Sequence, residues 1–172
     1  MFYLIISGRL LSATEIEETY GFKVLGVLSK DMPQSFHKIM RFGRDKAYLN
    51  MTSDEQTDIA AYNIQRCVSE NTDILLTGTI GQERLDKVKE ALIHKINGIS
   101  FSCVSSIHSN AISYLQLDKY DNCIMVEKIS KSLHSEIDSE VRIFRDHNIN
   151  VIGVIVIYDS SAKSHPTRRA CT

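Results

Sequence analysis

Residues 77–86 form the first segment of this sequence whose residue types could bind a charged ligand. They follow an apolar stretch, Asp73-Ile74-Leu75-Leu76, and precede a charged stretch with helical spacing. A turn between a buried strand and a helix is where phosphate-binding loops occur. Such a loop needs glycines that let backbone amides approach the phosphates, a lysine for the outer phosphates, and a Ser or Thr hydroxyl for magnesium. The candidate phosphate ligands in this segment are Thr77, Gly78, Gly81 and Arg84.

The same segment lacks the rest of that chemistry. Where a working loop has Gly-Lys-Ser, this sequence has Glu83-Arg84-Leu85. Glu83 would place a carboxylate beside the phosphates, and Leu85 has no oxygen for magnesium. Arginine is a broad planar fork, whereas lysine is a compact point charge, so the two do not substitute for one another. The sequence therefore favours a tight turn without a ligand, with a weak phosphate site at the amides of residues 81–84 as the alternative.

A nucleotide site also needs an acidic residue at the end of a neighbouring strand. The apolar stretch 99–104 ends without one, and the next ends in Glu127-Lys128. Glu127 can be interpreted as a lone carboxylate at the sheet edge or as the partner of Lys128 or Lys131 in an ion pair. The sequence does not choose between these two.

No other constellation predicts catalysis or metal binding. His108 and Ser109 could suggest a hydrolase, but no nucleophile elbow (GxSxG) is present, which favours two surface residues. The six histidines and four cysteines show no metal-ligand spacing. We therefore predict no catalytic residue, no metal and no cofactor.

The composition is that of a globular domain in a reducing compartment. The 172 residues are 43% hydrophobic and 24% charged, with a formal net charge of −1, so nothing indicates nucleic-acid binding. The cysteines form no CxxC pair, which favours the cytosol. The apolar residues Phe2–Ile6 are too few to span a bilayer, which takes about 20 residues. They are either an edge strand or the stump of a transmembrane helix.

Helices and strands are expected to alternate along most of the chain. Ser12 and Glu15 have capping-box spacing, so a helix should run to Tyr20 and end at Gly21. The order from residue 73 onward is strand, helix, strand, helix, strand, helix, strand, which predicts a three-layer α/β fold with a mostly parallel sheet flanked by helices. The expected strands are 22–28, 73–78, 99–104, 122–126 and 151–158, and the expected helices are 12–20, 52–70, 82–96, 111–117 and 132–147.

Three regions are expected along the chain. Residues 1–50 form an N-terminal arm with a juxtamembrane-like segment, residues 51–159 form the α/β domain, and residues 160–172 form a polar tail. The tail is basic and is expected to be disordered.

Residues 12–28, SATEIEETYGFKVLGVL, resemble the segment after the last transmembrane helix of bacterial polysaccharide co-polymerases, the chain-length determinant proteins. In many relatives this segment leads into a cytoplasmic tyrosine-kinase domain of the deviant P-loop class. Later segments resemble strands of that kinase domain: Ile74–Gly78 the strand before the phosphate loop, Tyr120–Lys128 the "aDgvvLVek" strand, and Asn150–Val156 the "vlGvvln" strand.

The resemblance implies a P-loop NTPase-like fold and a role in the synthesis of a capsular, exo- or lipopolysaccharide. It also implies protein partners (self-association, or components of the polymerase and kinase) and a location at the cytoplasmic side of the inner membrane, reached through a transmembrane segment upstream. As an isolated fragment the chain would be cytoplasmic. The departures at Arg84 and Leu85, and the absence of a tyrosine-rich tail, imply a degenerate loop and a non-catalytic regulatory domain. The alternative is an atypical ATPase or protein-tyrosine kinase that uses Arg84.

Overall fold

A computed structural model describes residues 8–30, 51–105, 107–108 and 110–159. The predictions made for Phe2–Ile6, for Ser109 and for the tail 160–172 lie outside these residues. In the described part, no helix combines the length and the apolar character needed to cross a bilayer.

Five parallel strands form one sheet, which confirms the predicted α/β class. The strands are β1 (Val24–Lys30), β2 (Thr72–Thr77), β3 (Ile99–Cys103), β4 (Asn122–Lys128) and β5 (Asn150–Asp159), and their order across the sheet is β1-β5-β4-β2-β3. The residues that the structure describes also form five α-helices: α1 (Ala13–Tyr20), α2 (Ser53–Gln65), α3 (Gln82–Ile93), α4 (Ala111–Tyr114) and α5 (His134–Asp146), with a 3-10 turn at Leu117–Lys119.

Local capping sets several helix ends where the sequence predicts them. The Ser12 hydroxyl accepts a hydrogen bond from the Glu15 amide, and Gly21 ends α1 in the left-handed conformation at φ 71°. Thr52 and Glu55 form a reciprocal capping box at the start of α2. Helix α2 ends at Gln65 and α3 at Ile93, which is earlier than the apolar spacing predicts. Apolar side chains beyond a helix end can still face the core from a turn, as Ile96 does with 3% exposure.

The sheet is covered on both faces. On one face, α1, α5 and the segment after β3 pack on a cluster of buried residues that includes Ile16, Met125, Ile137 and Phe144. On the other face, α2 and α3 pack on a cluster that includes Ile64, Leu76, Leu85 and Val126. Central strands buried on both sides explain the long apolar run of β5.

Strand β1 extends the same sheet that residues 72–159 build. It pairs in parallel with β5, for example Val27 with Val156. The sheet therefore contains chain from both sides of the boundary that the sequence analysis set at residue 50.

The chain preceding α1 pairs with the loop after β4. The Leu10 amide donates to the Ser132 carbonyl (2.9 Å), the Ser130 amide to the Leu10 carbonyl (2.7 Å), and the His134 amide to the Gly8 carbonyl (2.8 Å). Leu10 itself is fully buried. Residues 8–10 are thus fixed across the carboxyl edge of β4.

Candidate functional site

The turn between β2 and α3 is pressed against the neighbouring strand β4. Gly78 has φ 152°, and a Cβ on it would overlap the carbonyl oxygen of Val126. The glycine is therefore required because the backbone of β4 lies directly beside it. Its role here is close packing of two strands.

The middle of the same turn is anchored in the core. Ile80 is 5% exposed and belongs to the cluster under α2 and α3, as does the fully buried Leu85. Glu83 is exposed and pairs with Lys87 one helical turn away (2.6 Å). Gln82 accepts a hydrogen bond from the Ser105 amide (3.2 Å), which ties the start of α3 to the chain after β3.

Glu127, near the end of β4, contacts the amide and the hydroxyl of Thr79 in this turn. Its Oε2 lies 2.6 Å from the Thr79 hydroxyl, and its Oε1 accepts a hydrogen bond from the Thr79 amide at 3.4 Å. The Thr79 hydroxyl also lies 2.7 Å from the Ser132 hydroxyl, which accepts the Lys128 amide at 2.8 Å. Glu127 is fully buried.

A second buried carboxyl lies close to the first. Glu140 on α5 is fully buried, and its Oε1 lies 3.2 Å from Nδ1 of His108. Burial, and then the negative charge of Glu140, raise the pKa of Glu127 to about 8. Burial, and then the negative charge of Glu136, raise the pKa of Glu140 to about 8. Two more buried oxygens, Oε2 of Glu140 and Oγ1 of Thr77, have no hydrogen-bond partner among the described residues. Burying a polar group without a hydrogen bond costs free energy, so these two oxygens lower the stability of the folded state.

A third polar network joins α1 to α5. The Tyr20 hydroxyl lies 2.8 Å from Nδ1 of His134, whose Nε2 lies 3.1 Å from Glu15. Burial, and then the negative charge of Asp138, raise the pKa of Tyr20 above its usual range. A phenol that is harder to ionise is a poor nucleophile, so this network serves to dock α1.

The described residues contain no group of three or more His, Cys, Asp or Glu side chains that could hold a metal ion.

The four candidate phosphate ligands are divided between two places. Thr77 is buried at the end of β2 and Gly78 faces β4, while Gly81 caps α3 and Arg84 lies in its first turn. The amides of residues 84 and 85 donate to the Gly81 carbonyl at 3.0 and 3.3 Å. At these positions a phosphate would compete with the hydrogen bonds of the helix.

The contact between Glu127 and Thr79 was not predicted. It depends on β4 lying beside β2 although β3 lies between them in sequence. The signal that could have found it is the acidic residue at the end of an otherwise apolar strand, because a buried carboxyl needs hydrogen-bond donors.

Comparisons with known proteins give a fold and no sequence family. No protein-family model and no curated protein matches this sequence. Solved structures share the fold, and two of them are described here. The kinase domain of the Escherichia coli tyrosine kinase ETK matches with a TM-score of 0.63 and 9% identity, over 91% of this chain and 98% of that one. The chimerical protein CapA2B2 matches with a TM-score of 0.61 and 9% identity, over 85% of this chain and 98% of that one. The chain thus has the α/β architecture of a tyrosine-kinase domain, as the sequence resemblance implies.

Proposed function

We propose that this domain acts by binding other proteins and does not turn over nucleotide, and that it serves chain-length control and export of a bacterial capsular, exo- or lipopolysaccharide. The likeness in fold to the ETK kinase domain and to CapA2B2 supports an architecture suited to nucleotide chemistry. The residues at the β2–α3 turn support the loss of that chemistry in this chain.

The observation that carries the proposal is the contact between Glu127 and Thr79. A phosphate loop binds its ligand with backbone amides and hydroxyls that are free to turn toward the anion. Here the Thr79 amide and hydroxyl are directed to a buried carboxyl of the same chain. Displacing that carboxyl would mean breaking these bonds and exposing a group that is fully buried.

The first turn of α3 adds three further obstacles. The side chain at the position of the magnesium hydroxyl is Leu85, which is fully buried in the core. Glu83 brings a negative charge to the start of the helix, where an anion would otherwise be attracted. Arg84 lacks the compact charge that the outer phosphates need. Thr77, Gly78, Gly81 and Arg84 therefore stay only weak phosphate candidates.

The partners that fit this role are proteins: further copies of this chain, or components of a polysaccharide polymerase or kinase. The resemblance of residues 12–28 to a juxtamembrane segment supports a location at the cytoplasmic side of the inner membrane.

Titration with ATP and magnesium tests the proposal. A ligand at a hundredfold excess over its dissociation constant stabilises the folded state by about 2.7 kcal/mol. We expect no heat of binding and no change in melting temperature at millimolar ATP. A stabilisation that Arg84→Ala abolishes, and that the matched exposed change Lys87→Ala leaves intact, would instead favour an atypical ATPase or kinase that uses Arg84.

A further inference from the structure

The two edge strands of the sheet, β1 and β3, differ in how their backbone is protected. Side chains of α2 bond to the backbone of β1: Asn63 donates to the Leu25 carbonyl (2.8 Å), and Gln56 accepts from the Ser29 amide (2.7 Å). Lysine, proline and bulges also protect sheet edges. Strand β3, ISFSC, contains no charge or proline and pairs with β2 without a bulge. Among the described residues no strand lies beyond it, so β3 is an edge that can accept another strand.

The bonds of β3 to the β2 side show which of its backbone groups face outward. The Gly98 carbonyl accepts from the amide of Asn71, which precedes β2, at 2.6 Å, and the Val104 amide donates to the Leu76 carbonyl at 3.0 Å. Backbone groups alternate in direction along a strand, so the even-numbered residues of β3 face β2. The odd-numbered residues, whose groups face away, are Ile99, Phe101 and Cys103.

One side of α3 carries charges in an order that suits a second copy of itself. Gln82 donates to the Cys103 carbonyl (3.4 Å) and so lies at the carboxyl end of β3. Asp86, Lys89 and Ile93 follow Gln82 at intervals of four, three and four residues and therefore share its side of the helix. In an antiparallel copy the acid and the base are met in the reverse order, so each charge faces its opposite.

Exposed apolar side chains flank the same edge of the sheet. Ile93 on α3 is 44% exposed. Ile112 and Leu115, at 70% and 76% exposure, belong to the segment around α4, which the bond from the Ser113 hydroxyl to the Ser105 carbonyl (3.1 Å) ties to the chain after β3. Exposed apolar side chains that lie close together mark a contact surface.

We propose that two copies of this chain associate through β3, which pairs antiparallel with itself around a twofold axis at Phe101 and joins the two sheets into one of ten strands. In this register Phe101 faces Phe101 of the second copy, and Ile99 faces its Cys103. The outward groups of both strands then meet as hydrogen-bonded pairs. A twofold contact uses the same surface of both copies. The proposal specifies one of the partners proposed above, a further copy of this chain, and does not depend on the absence of nucleotide turnover.

The position of α3 agrees with this axis. Helix α3 packs on both β2 and β3. Strands lie about 4.8 Å apart, so a helix centred between these two would lie about 10 Å from its copy, a distance at which helices pack. Phe101 is two residues, or about 7 Å, from Cys103. The midpoint of Asp86 and Lys89 is about 8 Å along α3 from Gln82, so Asp86 of each copy comes opposite Lys89 of the other.

Charge reversal tests the contact between the helices. We expect the parent to sediment as a dimer at low ionic strength. Asp86→Lys should raise the dissociation constant of the dimer about tenfold or more, because two pairs change from attraction to repulsion. Combining Asp86→Lys with Lys89→Glu reverses both charges and should restore the dimer. Glu18→Lys is the matched control, since it makes the same change at an exposed position of α1, which packs on the opposite edge strand.

Hydrogen exchange tests the pairing of the strands. The Phe101 amide should exchange more slowly as the protein concentration rises, because it then donates to the second copy. The Ser102 amide, which faces β2, is the internal control and should not change. A parent that is monomeric at every concentration, a double variant that does not regain the dimer, or a Phe101 amide whose exchange ignores concentration would overturn the proposal. A dimer that Leu115→Glu dissociates and Asp86→Lys leaves intact would place the interface at α4 instead.

Discussion

The free energy of unfolding of this protein is expected to fall as the pH rises from about 5 to about 8, because two buried carboxyls keep their protons in the folded state and release them on unfolding. Burial raises the pKa of Glu127 and Glu140 to about 8. In an unfolded chain a glutamate titrates near 4.3. Between these values the folded state binds more protons than the unfolded state, so stability is highest below the unfolded pKa and is lost as the pH approaches the folded pKa.

The slope of this loss can be large. Each carboxyl that is protonated when folded and ionised when unfolded lowers the stability by about 1.4 kcal/mol per pH unit. Urea unfolding at a series of pH values measures it. Glu127→Gln and Glu140→Gln keep the shape of the protonated side chain without its titration, so the double variant should flatten the profile and exceed the parent in stability at pH 8. A parent whose stability is constant or rises over this range would contradict the assignment of these carboxyls as neutral.

Replacement of Gly78 by alanine is expected to destabilise the fold by about 3 kcal/mol or more. Gly78 has φ 152°, a conformation that side-chain-bearing residues rarely adopt, and the added Cβ would overlap the Val126 carbonyl oxygen. The unfavourable φ of a side-chain-bearing residue at this position alone costs about 1–3 kcal/mol. The obstacle is backbone in a central strand, which cannot move aside without breaking the sheet.

Gly81 is the matched control for this prediction. It has φ −69° and ψ 153°, and no atom lies within 4 Å of the place its Cβ would take. Serine is a favoured residue at a helix N-cap, so Gly81→Ser should leave the stability unchanged or raise it slightly. If Gly78→Ala unfolds at the same denaturant concentration as the parent, the close packing of the turn on β4 is wrong.

These two glycines show what the sequence could and could not predict. Both were candidates for a phosphate loop because they flank a strand-to-helix turn. The strand, the turn and the helix are present, since apolar runs and capping residues act locally. What the two glycines do depends on the neighbouring strand, and a local pattern does not carry that information.

Glu127 gives the same lesson for the candidate site. The sequence placed it at the end of a strand and left its role between a lone carboxylate and an ion pair. Its contacts with Thr79 and Ser132 follow from the strand order, which brings β4 beside β2. Glu140 and His108 were not singled out as a pair, because they come together only when α5 and the segment after β3 pack on one face.

The helix ends show a smaller mismatch of the same kind. The apolar spacing predicts that α2 runs to residue 70, whereas the helix ends at Gln65. Asn71 then takes a left-handed conformation at φ 61°, which asparagine tolerates well, and the chain turns into β2. Apolar spacing predicted which residues are buried better than it predicted where the helix stops.

The most direct test of the central claim is a crystal of this protein soaked with ADP and magnesium. If the carboxyl of Glu127 keeps its contacts with Thr79, the β2–α3 turn will carry no ordered nucleotide and the turn will be unchanged. Ordered density for phosphates and a metal ion beside residues 78–85, with Glu127 displaced from Thr79, would contradict the account.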